Sequence, residues 1–330
     1  MMPEQPYSFA NNVPDIIVFQ SLCNQHHRYA RHRLRNVSFP GFAIAVYFNK
    51  FGLNMFVAMK QIDAVRALDF ARYSTEEIRQ NFLITGLVQE GRINCTYTHY
   101  DRMMIGAAAP AVEPLKLETY PGLKSDYFLE RREMGLLNIG GQGTVSADGQ
   151  VFTLSKADCL YLGKGTKEVL FSGQGAKFIL FSCPAHAAYP AQLMCADQAT
   201  PVEMGSAETA NHRTINKYIY PDGLKSCQLV MGYTQFKPGS VWNTMPAHVH
   251  LRRMESYFYF DLPAGQKVLH LMGEPKETRH IFIGNEEAIV SPPWSIHCGA
   301  GTASYSFIWA MAGENLDYTD QDFLKIDELR

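Results

Sequence analysis

The sequence predicts an all-β chain built from two jelly-roll-like β-barrels, with a short helical segment ahead of them. Three observations carry that expectation. From about Asn94 onward, short runs rich in Val, Ile, Tyr, Phe and Thr are broken by Gly, Pro, Asn and Asp, the spacing of strands in a barrel or sandwich. Between Gly143 and Leu154, Asp148-Gly149 separates two strand-like segments, and a type I′ hairpin turn needs the positive φ that Asp and Gly tolerate. The third observation is a faint internal repeat.

In that repeat, Phe128 to Ile139 (FLERREMGLLNI) lies against His250 to Phe260 (HLRRMESYFYF), through a shared Arg-Arg and a nearby Glu ahead of an apolar strand. Ala157 to Glu168 lies against Glu286 to His297, which sets Glu168 where His297 falls. The order of features is the same in both halves, so the chain divides into one module over 59–205 and a second over 206–330. Ahead of the strands, Lys60 to Phe70 shows mixed helical periodicity, and Ser74 with Glu77 three residues on reads as a capping box opening a helix through Phe82. Residues 1–58 form an N-terminal extension.

Bulk composition excludes several functions. The 330 residues, 46% hydrophobic and 12% aromatic, are ample for a buried core. The 30 basic and 32 acidic residues nearly cancel, which offers little to nucleic acid or anionic lipid. The apolar stretch from Phe39 to Met59 is interrupted by Asn49 and Lys50, so neither part reaches the roughly 20 residues of a spanning helix. The 7 cysteines are scattered, odd in number and without a C-x-x-C pair, as expected of reduced thiols in the cytosol. The clustered His26, His27 and His32 lack a nearby carboxylate or thiol at ligand spacing and read as solvated.

The sharpest chemical signal is Asn243-Thr-Met-Pro-Ala-His248-Val-His250-Leu-Arg-Arg-Met-Glu255. Residues two apart on a strand face one side, so His248 and His250 can present two imidazoles to one point. Glu255 lies an odd number of residues beyond His250 and needs a bend at Leu251 to Met254 to join them. The Pro-rich turn Ser291-Pro-Pro-Trp-Ser-Ile-His297 supplies a fourth donor. Three imidazoles and a carboxylate suit zinc, manganese, iron, nickel or cobalt, and the absence of thiolates argues against a purely structural zinc. The first module lacks such a set, and His186 reads as a satisfied surface or core histidine.

Five stretches, NTMPAHVHLRRMESYFYF (243–260), YFLERREMGLLNIGGQGTVSADG (127–149), RTINKY (213–218), KETRHI (276–281) and SPPWSIHCGAGT (291–302), together resemble the 5-keto-4-deoxyuronate isomerase family from about Met59 to Arg330. The resemblance implies a cytoplasmic bicupin, usually a hexamer, that converts 4-deoxy-L-threo-5-hexosulose uronate into 3-deoxy-D-glycero-2,5-hexodiulosonate during pectin breakdown. It further implies one zinc per subunit, on His248, His250, Glu255 and His297. Leu251 departs from the family, which commonly has Glu there. Residues 1–58 have no counterpart, and the expectation is an upstream start with Met59 as the natural initiator, or else a species-specific extension.

Isomerisation also needs a proton carrier, for which Glu277 and Tyr257 are the candidates, with Tyr259 on the same face as Tyr257. A cation must meet the hexuronate carboxylate, and Lys217, Arg253 and Arg279 are the candidates. The ligand set alone leaves open an iron-dependent dioxygenase or a non-catalytic sugar-binding bicupin.

Overall fold

Asp148 and Gly149 take φ of 48° and 86°, and the strands they join, Gly143–Ala147 and Gln150–Leu154, pair in register from Ala147 opposite Gln150 outward. The hairpin therefore forms as its turn residues dictate. The computed structural model describes residues 36–39, 42–49, 52–57, 59–313 and 320–330. It divides into two units, Met1–Ala58 and Met59–Arg330. In the first, Asn36–Phe39, Phe42–Asn49 and Gly52–Val57 form an antiparallel meander. The apolar stretch after Phe39 thus falls largely on strands, and no described helix is long and apolar enough to cross a membrane. His26, His27 and His32 lie outside the described residues.

The second unit contains both modules, each a seven-stranded and a four-stranded sheet. In the first module Arg132–Asn138 runs between Cys159–Leu162 and Phe178–Pro184; in the second, Arg253–Phe260 runs between Glu287–Ser291 and Ser306–Gly313. Leu162 pairs with Met134 and Ser291 with Glu255, so the register supports the repeat alignment. The four-stranded sheets also match: Gln150–Leu154, Gly143–Ala147, Val169–Ser172 and Leu115–Lys116 against Glu277–Ile283, Val268–Glu274, Ile296–Gly301 and Trp242–Asn243. Among the described residues no strand pairing joins the two sheets of either module into a ring, so the expected barrels are open jelly-roll sandwiches.

Register corrects one equivalence. Counting from the two-residue hairpin turns, Val145 and Met272 occupy like positions, and they pair with Phe171 and His297. Phe171, not Glu168, therefore stands where His297 stands. Glu168 instead sits at the surface, 3.2 Å from Lys116. Leu129 and Met134 likewise occupy the places of His250 and Glu255, and all three apolar residues are buried in one cluster.

The seam between the modules is less simple than a cut at 205/206. Thr200–Met204 bonds to Arg213–Ile219 at the edge of the second module's sheet, and Leu83–Ile84 bonds to Glu287–Ser291 at its other edge. The helical segment follows it there. In the Thr75–Phe82 helix the predicted capping box is complete, with Ser74 N donating to Glu77 Oε2 at 2.7 Å and Glu77 N to Ser74 Oγ at 3.3 Å. Arg79 then donates to the Phe282 carbonyl at 3.1 Å, and Phe70 lies against the Trp294 ring at 5.3 Å. Lys60–Ile62, expected to start a helix, is a strand; only Ala67–Phe70 of that stretch is helical.

The outer faces of the two seven-stranded sheets share a core, in which Leu137, Tyr161 and Phe181 join Ile219, Leu229 and Met231. Gly135 sits at their closest approach, where an added Cβ would lie 2.6 Å from Ile219 Cδ1 and 2.9 Å from Leu229 Cδ2. Gly135→Val should accordingly destabilise the protein by about 1–3 kcal/mol through overpacking, measured as a shift in urea midpoint.

Candidate metal centre

The bend expected between His250 and Glu255 is a tight turn. His248–Val249 is a short strand, the Arg253 amide donates to the His250 carbonyl at 3.3 Å, and the chain re-enters a strand at Arg253. That places Glu255 beside the two histidines. His297 enters from Ile296–Gly301 in the facing sheet. All four side chains are buried, and one donor atom from each lies within 4.8 Å of the others.

The hydrogen bonding shows what the cluster requires. His250 Nδ1 lies 2.9 Å from the Arg253 carbonyl oxygen, which can only accept, so Nδ1 carries the proton. The Nε2 lone pair is then turned toward Glu255 Oε2 at 3.1 Å. His297 repeats the pattern, with Nδ1 3.3 Å from the Ser295 carbonyl and Nε2 2.8 Å from Glu255 Oε2 and 3.0 Å from His248 Nε2. Lone pairs facing one another in a buried site repel unless a cation lies between them. Burial, with His297 alongside, pushes the His248 imidazole down to about 2, so a proton there is disfavoured. Burial alone would raise the Glu255 carboxyl; any proton held on the His297 or His250 Nε2 would be shared with Glu255, and that charge and hydrogen bonding outweigh burial and keep the group below the usual carboxylate range. Donor separations near 3 Å are those that metal–ligand bonds of about 2.0–2.2 Å produce. The residues fit a divalent metal.

Other side chains surround the cluster. Tyr257 is buried, its ring edge-on to His297 at 5.6 Å and its hydroxyl 3.1 Å from Thr244 Oγ1. His270 shares the face of His297, because Met272, two residues away, is paired with His297. Its Nδ1 is 2.8 Å from the Tyr259 hydroxyl, its Nε2 is buried without a hydrogen-bond partner, and burial together with His297 pushes it down to about 3. Sequence reasoning missed His270. Its only signal was the alternation of Val268, His270 and Met272 on one strand.

The C-terminal segment was missed as well. Asp322–Phe323 pairs with His248–Val249, Phe323 packs 5.4 Å from the His248 ring, and Leu324 and Leu329 pack against Ala247, Ile296 and Cys298. Asp320 from the same segment holds Arg253 at 2.7 Å and also pairs with Arg252.

The side chains of the remaining expected site residues have other partners. Glu277 is half-exposed and pairs with Arg279 at 2.7 Å, while Arg279 also donates to the Ala71 carbonyl at 2.6 Å. Assigning proton transfer to Glu277 finds no support in that arrangement. Lys217 lies over the Tyr220 ring at 5.2 Å. Arg253 is fully buried and engaged by Asp320, a support for the His250 turn. His186 is exposed, its Nδ1 3.2 Å from Cys227 Sγ.

The sequence profile of the KduI/IolB family matches residues 83–326. The chain is 55% identical to the 4-deoxy-L-threo-5-hexosulose-uronate ketol-isomerase of Formosa agariphila, covering 78% of this chain and 94% of that protein. Identity is 51% to the enzyme of the same name from Halalkalibacterium halodurans, covering 79% and 96%. Among solved structures, an IolB-like protein from Salmonella typhimurium superimposes with a TM-score of 0.62 at 17% identity, over 74% of this chain and 97% of that one, a likeness of fold.

Because Arg253 is fully buried, removing the Asp320 carboxylate weakens the compensation of a charge held away from water. Asp320→Ala should cost about 3 kcal/mol of stability, measured by denaturant unfolding, and should loosen metal retention through the His250 turn.

Proposed function

The chain belongs to the KduI/IolB family, and from that membership and its buried ligand set we propose that it is a 4-deoxy-L-threo-5-hexosulose-uronate ketol-isomerase. It converts its hexuronate substrate into 3-deoxy-D-glycero-2,5-hexodiulosonate. The observation that carries the reading is identity of 51% and 55% to enzymes named for this reaction, over nearly their whole length. The same reading takes the enzyme as a cytoplasmic homohexamer, with one zinc per subunit, serving breakdown of pectin and related polymers. Family resemblance supports these points, and the six described cysteines, all free, suit the compartment.

Moving a proton from C2 to C1 is difficult because a carbon beside an aldehyde is only weakly acidic. His248, His250, Glu255 and His297 would hold the metal, which when bound would supply Lewis-acid polarisation of the substrate carbonyl. Proton handling falls to the residues around the cluster. We assign the Tyr257 hydroxyl, 3.1 Å from Thr244 Oγ1 and on a ring that lies against His297, the part of holding a proton beside the ligand group. His270, kept neutral by burial, offers Nε2 as an acceptor, and the Tyr259 hydroxyl fixes its ring through Nδ1.

The direct test is turnover of 5-keto-4-deoxyuronate with and without chelator, where chelation should abolish activity and added zinc restore it. His248→Ala and Glu255→Ala should lose bound metal and turnover together, and a metal-free variant with full turnover would refute the role of the cluster. His270→Phe and Tyr257→Phe should keep their metal, by elemental analysis, while kcat falls by about 10²-fold or more. Unchanged kcat in both variants would remove these two residues from the proton path.

A further inference from the structure

The repeat gives the buried arginine that opens each central strand a counterpart. Arg253 pairs with Gly313, and Arg132, at the same place in the first module, pairs with Pro184. Arg253 is neutralised by Asp320 at 2.7 Å, a carboxylate brought in by the C-terminal segment from outside the sheets. Arg132 is 6% exposed, yet its partners are uncharged: Ser182 Oγ at 3.2 Å, the Ser182 carbonyl at 2.7 Å and the Arg102 carbonyl at 2.6 Å. Among the described residues no carboxylate forms an ion pair with it. Burial, with the cation of Arg102 nearby, pushes its guanidinium down to about 10, so at neutral pH it remains a buried positive charge.

Arg132 opens onto a cavity of about 310 Å³, also lined by Arg102, Arg131, Tyr97 and Ser125, with Phe128 and Leu123 as apolar wall. That volume lies at the lower end of the range of small-molecule sites, about 300–1,000 Å³. The acids nearby are already engaged: Asp63 lies 3.6 Å from His99 at the rim, and Glu130 accepts from the Asp126 amide and lies 3.9 Å from Arg131. Arg102 is exposed at the mouth. Three arginines thus line one small cavity beside Tyr97 and Ser125, with Arg131 also donating to the Lys124 carbonyl at 2.9 Å, an arrangement suited to an oxyanion and hostile to a cation.

We propose that this cavity in the first module binds a small carboxylate- or phosphate-bearing metabolite, whose oxyanion takes beside Arg132 the place that Asp320 takes beside Arg253. It is a site separate from the metal centre, on the module whose interior carries no ligand set. An uncharged sugar gains nothing from the guanidinium groups and is not a ligand.

Isothermal titration calorimetry on the full-length zinc-loaded protein tests this with three probes: glucose 6-phosphate, D-galacturonate and methyl galactoside. At least one of the two anions should give saturable binding that weakens with added salt, and methyl galactoside should give none. Arg102→Glu, at the exposed rim, should weaken anion binding about tenfold or more with zinc content and melting temperature unchanged. Arg131→Ala should weaken it less. Which anion binds distinguishes a phosphate ester from a sugar acid as the source. Absence of saturable binding by either anion overturns the proposal. So does equal affinity in wild type and Arg102→Glu, since the anion then sits elsewhere, the metal centre included.

Discussion

Two imidazoles turned onto one buried carboxylate, with a third against one of them, form the constraint on which the second module depends. His250 and His297 each point an Nε2 lone pair at Glu255, because a backbone carbonyl has claimed the proton on the other ring nitrogen. Such a group is unstable as a set of neutral and anionic donors in a dry interior and becomes stable around a divalent cation. The surrounding structure holds that arrangement in place. The His250 turn is closed by the Arg253 amide, Arg253 is held by Asp320, and Phe323 packs beside His248. Ligand cluster, C-terminal segment and turn form one mechanical unit.

The first module shows what the same scaffold does without that constraint. Leu129, Met134 and Phe171 occupy the places of His250, Glu255 and His297, and they fill the interior as ordinary core. One sandwich is therefore solid and the other chemical, although their strand orders match. The difference extends to the arginine that opens each central strand. In the second module the chain supplies a counter-charge, and in the first the arginine is held by uncharged groups and lines a cavity instead.

The modules are also tied together beyond their shared core. The helix at Thr75–Phe82 and the strand Leu83–Ile84 precede the first module in sequence but pack on the second, and Asp101 of the first accepts the Met254 amide at 2.7 Å, next to ligand Glu255. Gly135 permits the close approach of the two large sheets that makes these links possible. Each module alone would leave an apolar sheet face exposed, so the pair is the stable unit.

Much of this was legible in the sequence because it depends on local chemistry. A hairpin follows from Asp148-Gly149, a helix start from Ser74 and Glu77, and a shared face from the spacing of His248 and His250. The Arg-Arg repeat located equivalent strands in both halves. What sequence could not decide were matters of long-range register and burial. Glu168 was matched to His297 by linear counting, whereas the loop before Val169 is longer than that before Ile296, and strand pairing assigns the place to Phe171. Glu277 and Arg279 carry suitable charges, but the fold satisfies them with each other and with Ala71. His270 and Asp320 stand in no motif, and only the facing of one sheet onto another, and the return of the C-terminal segment, bring them to the site. Spacing fixes which side of a strand a residue faces; which partner it meets there is decided by chain segments far away in sequence.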